Sequence, residues 1–137
     1  MNKSSMIKIN IVTCMLLVVF ISSCSRVTSL SNPPIIALPA GIELEKLSSI
    51  IEKSIINRGW VIVEKKDDSM IALLLVRQHS LTVIISYTQE GILIKYKDSE
   101  VLLYSKDDEG NETIHKKYNT WITNLVNDIK KGMYIFS

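Results

Sequence analysis

Cysteine is almost missing from this chain. Of its 137 residues only Cys14 and Cys24 carry a thiol, and both precede Ser25. Everything after them must fold without a disulfide and act without a thiol nucleophile. Catalytic signatures are missing too: there is no glycine-rich phosphate loop, no nucleophile elbow and no pair of histidines one helical turn apart. The two histidines, His79 and His115, have no Cys or His neighbour at ligand spacing, so neither a metal nor another cofactor is expected. The carboxylates Asp107, Asp108, Glu109 and Glu112 lack the ligand pattern of a calcium loop and read as a solvated acidic loop. No repeat recurs at a period of about 20 to 50 residues. At 15.5 kDa the chain suits one domain.

What is present begins with an address. Lys3 and Lys8 precede an apolar run from Ile11 to Ile21, which fits a signal-peptide core and falls short of the roughly 20 residues a spanning helix needs. Ile21-Ser22-Ser23-Cys24 follows: an aliphatic residue, two small ones and a cysteine. This resembles the lipobox of bacterial lipoproteins, whose cysteine receives diacylglycerol before cleavage. The resemblance implies that residues 1–23 are removed and that palmitate-type chains on Cys24 anchor the mature protein, each buried methylene contributing about 0.8 kcal/mol. Enterobacterial lipoproteins retained in the inner membrane carry Asp after the cysteine. Ser25 stands there instead, which implies the outer membrane, facing the periplasm, with the inner membrane as the alternative.

Removal of Lys3 and Lys8 leaves 14 basic and 14 acidic residues, where the whole chain has 16 and 14. The mature protein is formally neutral, and the pI near 8.5 of the full chain is no argument for nucleic acid as a partner. The expected partners are the membrane, through lipid on Cys24, and an envelope protein or cell-wall component.

Residues 24–41 are small, polar and proline-bearing (Pro33, Pro34, Pro39), and read as a tether. If flexible it would hold a domain roughly 20 to 25 Å from the bilayer. Its apolar patch Ile35-Ile36-Ala37-Leu38 could instead dock as a short edge strand. The domain is expected over residues 42–137. Leu44, Leu47, Ile51 and Ile55 recur at helical spacing, and Arg58-Gly59 has the chemistry of a helix end. Trp60 to Lys65 and Met70 to Val76 form a hairpin across Lys66-Asp67-Asp68-Ser69, and Leu81 to Thr88 and Ile92 to Lys97 alternate like half-buried strands. The residues from Val101 to Tyr104 fit a strand or an extended connection. A second amphipathic helix is expected from about Thr113, with Tyr118, Trp121, Ile122, Leu125 and Ile129 on one stripe and Gly132 as its end. The expected fold is therefore α+β, a two-layer sandwich of helix, three or four antiparallel strands and helix, with both helices on one face of the sheet.

Two clusters could carry binding or chemistry. On the second helix His115, Tyr118, Asn119 and Ile122 would share a side at helical spacing, with Trp121 in the core stripe. The bland reading is that the aromatics are core residues whose polar atoms reach the layer edge. Tyr96-Lys97-Asp98-Ser99 could line a cleft at a strand end, or be an ordinary turn bonded to its own backbone.

Arg58-Gly59-Trp60, His79 before a strand, Tyr96 followed by Ser99, and the His115, Tyr118-Asn119, Trp121-Ile122 set resemble a group of small lipoproteins from Gram-negative bacteria. The resemblance covers residues from about Ile42 to Ile129. It implies that the domain is a unit, with His79, Tyr96, Ser99, His115, Tyr118, Asn119 and Trp121 as candidate ligand or partner contacts, and it implies no mechanism. Members have a Pro-Gly turn in the first hairpin where this chain has Lys66-Asp67-Asp68-Ser69.

Three functions follow as expectations. The first is a non-enzymatic binding or accessory module of the cell envelope. The second is a small-ligand-binding protein or weak hydrolase using His115, Tyr118, Asn119, Tyr96 and Ser99. The third is a periplasmic inhibitor or immunity protein.

Overall fold

The structure, a computed structural model, describes residues 25–135. The signal peptide, the lipobox and Cys24 lie outside the described residues.

Helix α1 (Leu44–Asn57) starts where Glu43 leaves extended backbone and its carbonyl accepts the N–H of Leu47 at 2.9 Å. Leu47, Ile50, Ile51, Ser54 and Ile55 form its buried stripe. It stops at Arg58-Gly59, where Gly59 takes φ +75° and the N–H of Trp60 returns to the carbonyl of Ile55 at 3.1 Å. That closing loop satisfies carbonyls a helix end leaves open, and glycine enters the left-handed region at no steric cost.

Between the two helices in chain order comes an antiparallel sheet in the order β2 (Val61–Lys65), β3 (Ser69–Val76), β4 (His79–Thr88) and β5 (Gly91–Glu100). Alternation decides its faces. Met70, Ala72 and Leu74, then Leu81, Val83, Ile85 and Tyr87, then Ile92 and Ile94, are buried in one core with the helices. Each large aliphatic side chain so buried contributes about 1.5–3 kcal/mol. Ile71, Leu73, Ile84 and Leu93 on the opposite face are only half-buried.

Helix α2 (Lys117–Ile135) packs on α1 and buries Tyr118, Ile122, Leu125, Val126, Ile129 and Met133. The two helices are also joined by Arg58, whose guanidinium grips the Asp128 carboxylate through two hydrogen bonds, one of them 2.9 Å from Nη2 to Oδ1. The architecture is the expected α+β two-layer arrangement, with both helices over one sheet face.

Three local expectations change. Gly132 does not end α2, which continues to Ile135. A Cβ on Gly132 would lie 2.7 Å from Cγ2 of Ile50, so the missing side chain lets the two helices approach closely here. Nor does α2 begin near Thr113. Glu112–His115 is a strand, β7, held between β1 (Val27–Ser29) and β6 (Ser105–Lys106) in a small second sheet. The β-branched pair Thr113-Ile114 suits a strand, and Val27, Thr28 and Ser29 supply the partner backbone. Residues 101–104 are not a strand: the chain bends at Val101 and Leu102, and Val101 and Leu103 hold φ +58° and +54°.

The stretch read as a tether is docked, and its apolar patch takes the alternative edge position. Besides β1, Ile36 is buried and exchanges both backbone hydrogen bonds with Ile92, at 2.9 and 3.0 Å. The edge of β5 offers open N–H and carbonyl groups, and an apolar segment that reaches it gains both hydrogen bonds and burial.

Candidate functional site

Tyr96 is the hub of the polar and aromatic residues. It lies on β5 opposite Val83, on the face that packs into the core. Residues three apart on a regular strand point to opposite faces, but the register slips here: Val83 faces Tyr96, Thr82 faces Asp98 and Leu81 faces Ser99. Lys97 is the extra residue of a β-bulge, and the bulge returns Ser99 to the same side as Tyr96. Their hydroxyls meet at 3.0 Å. The expected turn at Tyr96-Lys97-Asp98-Ser99 is thus a bulged strand.

Two more rings and an amide fix the hub. Tyr104 stacks on Tyr96 with centroids 4.7 Å apart and planes 18° from parallel. Tyr118 meets Tyr96 edge-on at 6.1 Å. Asn32, from the docked N-terminal segment, accepts both the Tyr96 backbone N–H at 3.1 Å and the Tyr118 hydroxyl at 3.4 Å through Oδ1. Tyr104 in turn donates to Glu112 at 2.8 Å. Burial pushes the Tyr118 phenol up to about 12 and raises that of Tyr96, against the lowering effect of its Ser99 hydrogen bond. The bond to Glu112 raises Tyr104. All three phenols therefore keep their protons near neutral pH.

A second group sits at the same end of the sheet. His79, first residue of β4, has its ring 6.3 Å from that of His115 and 6.5 Å from that of Trp121. His79 Nδ1 lies 2.9 Å from the Val101 carbonyl, an acceptor only, so Nδ1 carries the proton and Nε2 is left as the acceptor in the neutral ring. His115 is the reverse: Nδ1 accepts the Lys117 N–H at 3.2 Å, which leaves Nε2–H as a donor. Burial, then the nearby charges of Lys117, His79, Lys116 and Arg26, hold His115 below the ordinary imidazole value. The pair offers one acceptor and one donor a short distance apart.

Of the residues singled out in the sequence, Tyr96, Ser99 and Tyr118 come together, and so do His79, His115 and Trp121. Because His115 ends a strand, it does not share a helix face with Tyr118 and Asn119. Asn119 instead lines a groove of about 420 Å³ with Ser31, Pro33, Pro34 and Ile122. Asn32, Tyr104 and Glu112 were not visible as site residues. Asn32 lies 64 and 86 positions from its partners, and Tyr104 and Glu112 flank an acidic loop that reads as solvated. Tyr87, fully buried, bonds Ser48 and the Lys66 carbonyl and belongs to the core.

Among the described residues no group of three or more His, Cys, Asp or Glu is placed to hold a metal ion, and no helix is long and apolar enough to cross a membrane. Fold and cluster together define a small α+β domain with a polar and aromatic surface network. No family model, curated protein or solved structure matches the chain.

Proposed function

We propose that this chain is a lipid-anchored envelope protein whose domain binds a small polar ligand with a flat face, such as a sugar ring of a cell-wall component, on the Tyr104 side of the tyrosine cluster. The carrying observation is the half-open stack. Tyr96 is fixed from beneath by Ser99, Asn32 and Tyr118, while Tyr104, 38% exposed, presents a ring to solvent. The Tyr96–Tyr104 pair contributes about 0.5–1.5 kcal/mol beyond the area it buries, which holds the Tyr104 ring in place for the C–H face of a sugar, and Ser99 and Glu112 stand beside it as polar contacts.

The same geometry argues against hydrolysis. The Ser99 hydroxyl is bonded to the Tyr96 phenol, which keeps its proton near neutral pH and cannot act as a general base there. The lipid anchor is carried by the Ile21-Ser22-Ser23-Cys24 pattern and the apolar run before it.

An NMR titration of the ¹⁵N-labelled mature protein with disaccharide-peptide fragments of the cell wall tests the ligand reading. Shifts should centre on Tyr96, Ser99 and Tyr104, and Tyr104→Ala should weaken binding several-fold. Undisturbed resonances in that cluster, or equal affinity in the variant, would remove this reading.

A further inference from the structure

β1 begins three residues after Cys24, and so short a connection reaches little distance. At no more than about 3.6 Å per residue, three residues of chain span about 11 Å at most. Val27 is itself held in place: it pairs with His115, and the Arg26 carbonyl accepts the Lys116 N–H at 2.9 Å. Whatever holds Cys24 therefore holds this end of the domain as well.

That end has a distinctive surface. Val101 and Leu103 are 53% and 56% exposed, on either side of Leu102, which is buried. Both occupy the left-handed region, which costs on the order of 1–3 kcal/mol per residue and is rarest for a β-branched side chain such as valine. Three anchors hold the strained bend. The Leu102 side chain is a buried peg, its carbonyl accepts the His115 N–H at 2.8 Å, and the Val101 carbonyl accepts the hydrogen bond donated by His79 Nδ1–H. Two apolar side chains are thereby kept facing outward on a rigid finger. Beside His115, which holds the Leu102 carbonyl, stand Arg26, Lys116 and Lys117, all exposed and all near enough to act on its charge, with the exposed carboxylate of Glu100 preceding Val101. Exposed apolar side chains with three cations close to their anchor match a phospholipid headgroup layer, where cations meet phosphates and the apolar groups enter the acyl boundary.

We infer that the end of the domain formed by Val101, Leu103, Arg26, Lys116 and Lys117 lies against the anionic phospholipid surface of the membrane that holds Cys24, with Val101 and Leu103 inserted at the headgroup boundary. This rests on the lipid-anchor part of the proposed function. The domain is then seated on the bilayer instead of hanging from a leash, and the neighbouring Tyr104 ring opens beside the membrane surface.

The cysteine-free domain makes the test direct. Val101→Cys, Leu103→Cys, Lys116→Cys and, as a distant control, Lys95→Cys are made in the full precursor. The matured proteins are spin-labelled and reconstituted in phosphatidylethanolamine–phosphatidylglycerol vesicles, with circular dichroism to verify folding. Labels at 101 and 103 should show an oxygen-to-nickel accessibility ratio several-fold above that at 95, with 116 between them. Should either apolar-site variant fail to fold, the other and Lys116→Cys still decide the matter. Mass spectrometry of the mature N-terminus separates the two possible failures. A Cys24 without diacylglycerol overturns the anchor and this inference together. A lipidated protein whose labels at 101, 103 and 116 are as water-accessible as the label at 95 overturns the seating alone.

Discussion

Gly91 and Ile36 are so close that a Cβ on the glycine would lie 2.7 Å from the Ile36 carbonyl oxygen. Gly91 also holds φ at +147°, and its neighbour Ile92 makes both backbone bonds to Ile36. The glycine at the start of β5 is thus what lets the proline-bearing segment lie along the sheet edge. Gly91→Ala should release that segment: residues 31–40 should become sensitive to limited proteolysis while the far-ultraviolet spectrum changes little. Ile36→Ala should cost about 2–5 kcal/mol in urea unfolding, as for other buried aliphatic truncations. Unchanged proteolysis in both variants would show that the segment is not held this way.

Gly132 gives a second steric prediction, at the helix–helix contact with Ile50. On an exposed helix surface Gly→Ala would stabilise by about 1 kcal/mol. Here Gly132→Val should instead destabilise by about 1–3 kcal/mol through overpacking. In a double-mutant cycle with Ile50→Ala, the paired variant should be more stable than the sum of the single changes. Simple additivity would disprove the contact.

His115 should titrate below the ordinary imidazole value near 6.5, because burial and the surrounding cations oppose its protonation. The unfolded chain then binds more protons than the native one just below pH 6.5, so this histidine makes stability fall as pH is lowered through that value. NMR of the imidazole protons should give the low midpoint. Arg26→Gln should move it upward, and a midpoint indifferent to that change would contradict the arrangement.

Tyr118, pushed up to about 12 by burial, makes the opposite contribution at high pH. Between about 10 and 12 the unfolded phenol ionises while the native one does not. Stability should therefore decline as pH rises through this window, and Tyr118→Phe should reduce the slope. Absorbance at 295 nm checks the assignment: the number of tyrosines that resist ionisation until unfolding should be one fewer in the variant.

The parts of the fold that were legible follow from local pattern. Leu47, Ile51 and Ile55 on α1, and Leu81, Val83, Ile85 and Tyr87 on β4, are buried as their spacing requires. Gly59 ends α1 as a glycine after a final turn should. Gly132 carries the same local signal and means something else, because its role depends on Ile50 in another helix. The Tyr96–Ser99 pair stands out in the sequence for its chemistry, yet strict alternation would place the two on opposite faces. Only the register slip at Lys97 joins them, and that slip is a property of β4 and β5 together.

The sequence by itself determined a domain without cysteine after Ser25, two amphipathic helices and a sheet with one buried face, because apolar periodicity acts within each element. Tertiary structure decided that the supposed tether docks, that Asn32 binds Tyr96 and Tyr118, and that Val101 and Leu103 project beside His79 and His115. Those arrangements depend on backbone and side-chain partners far apart along the chain, 64 and 86 residues in the case of Asn32. No local pattern encodes such a partner, since the free energy that selects it appears only when the distant surfaces meet.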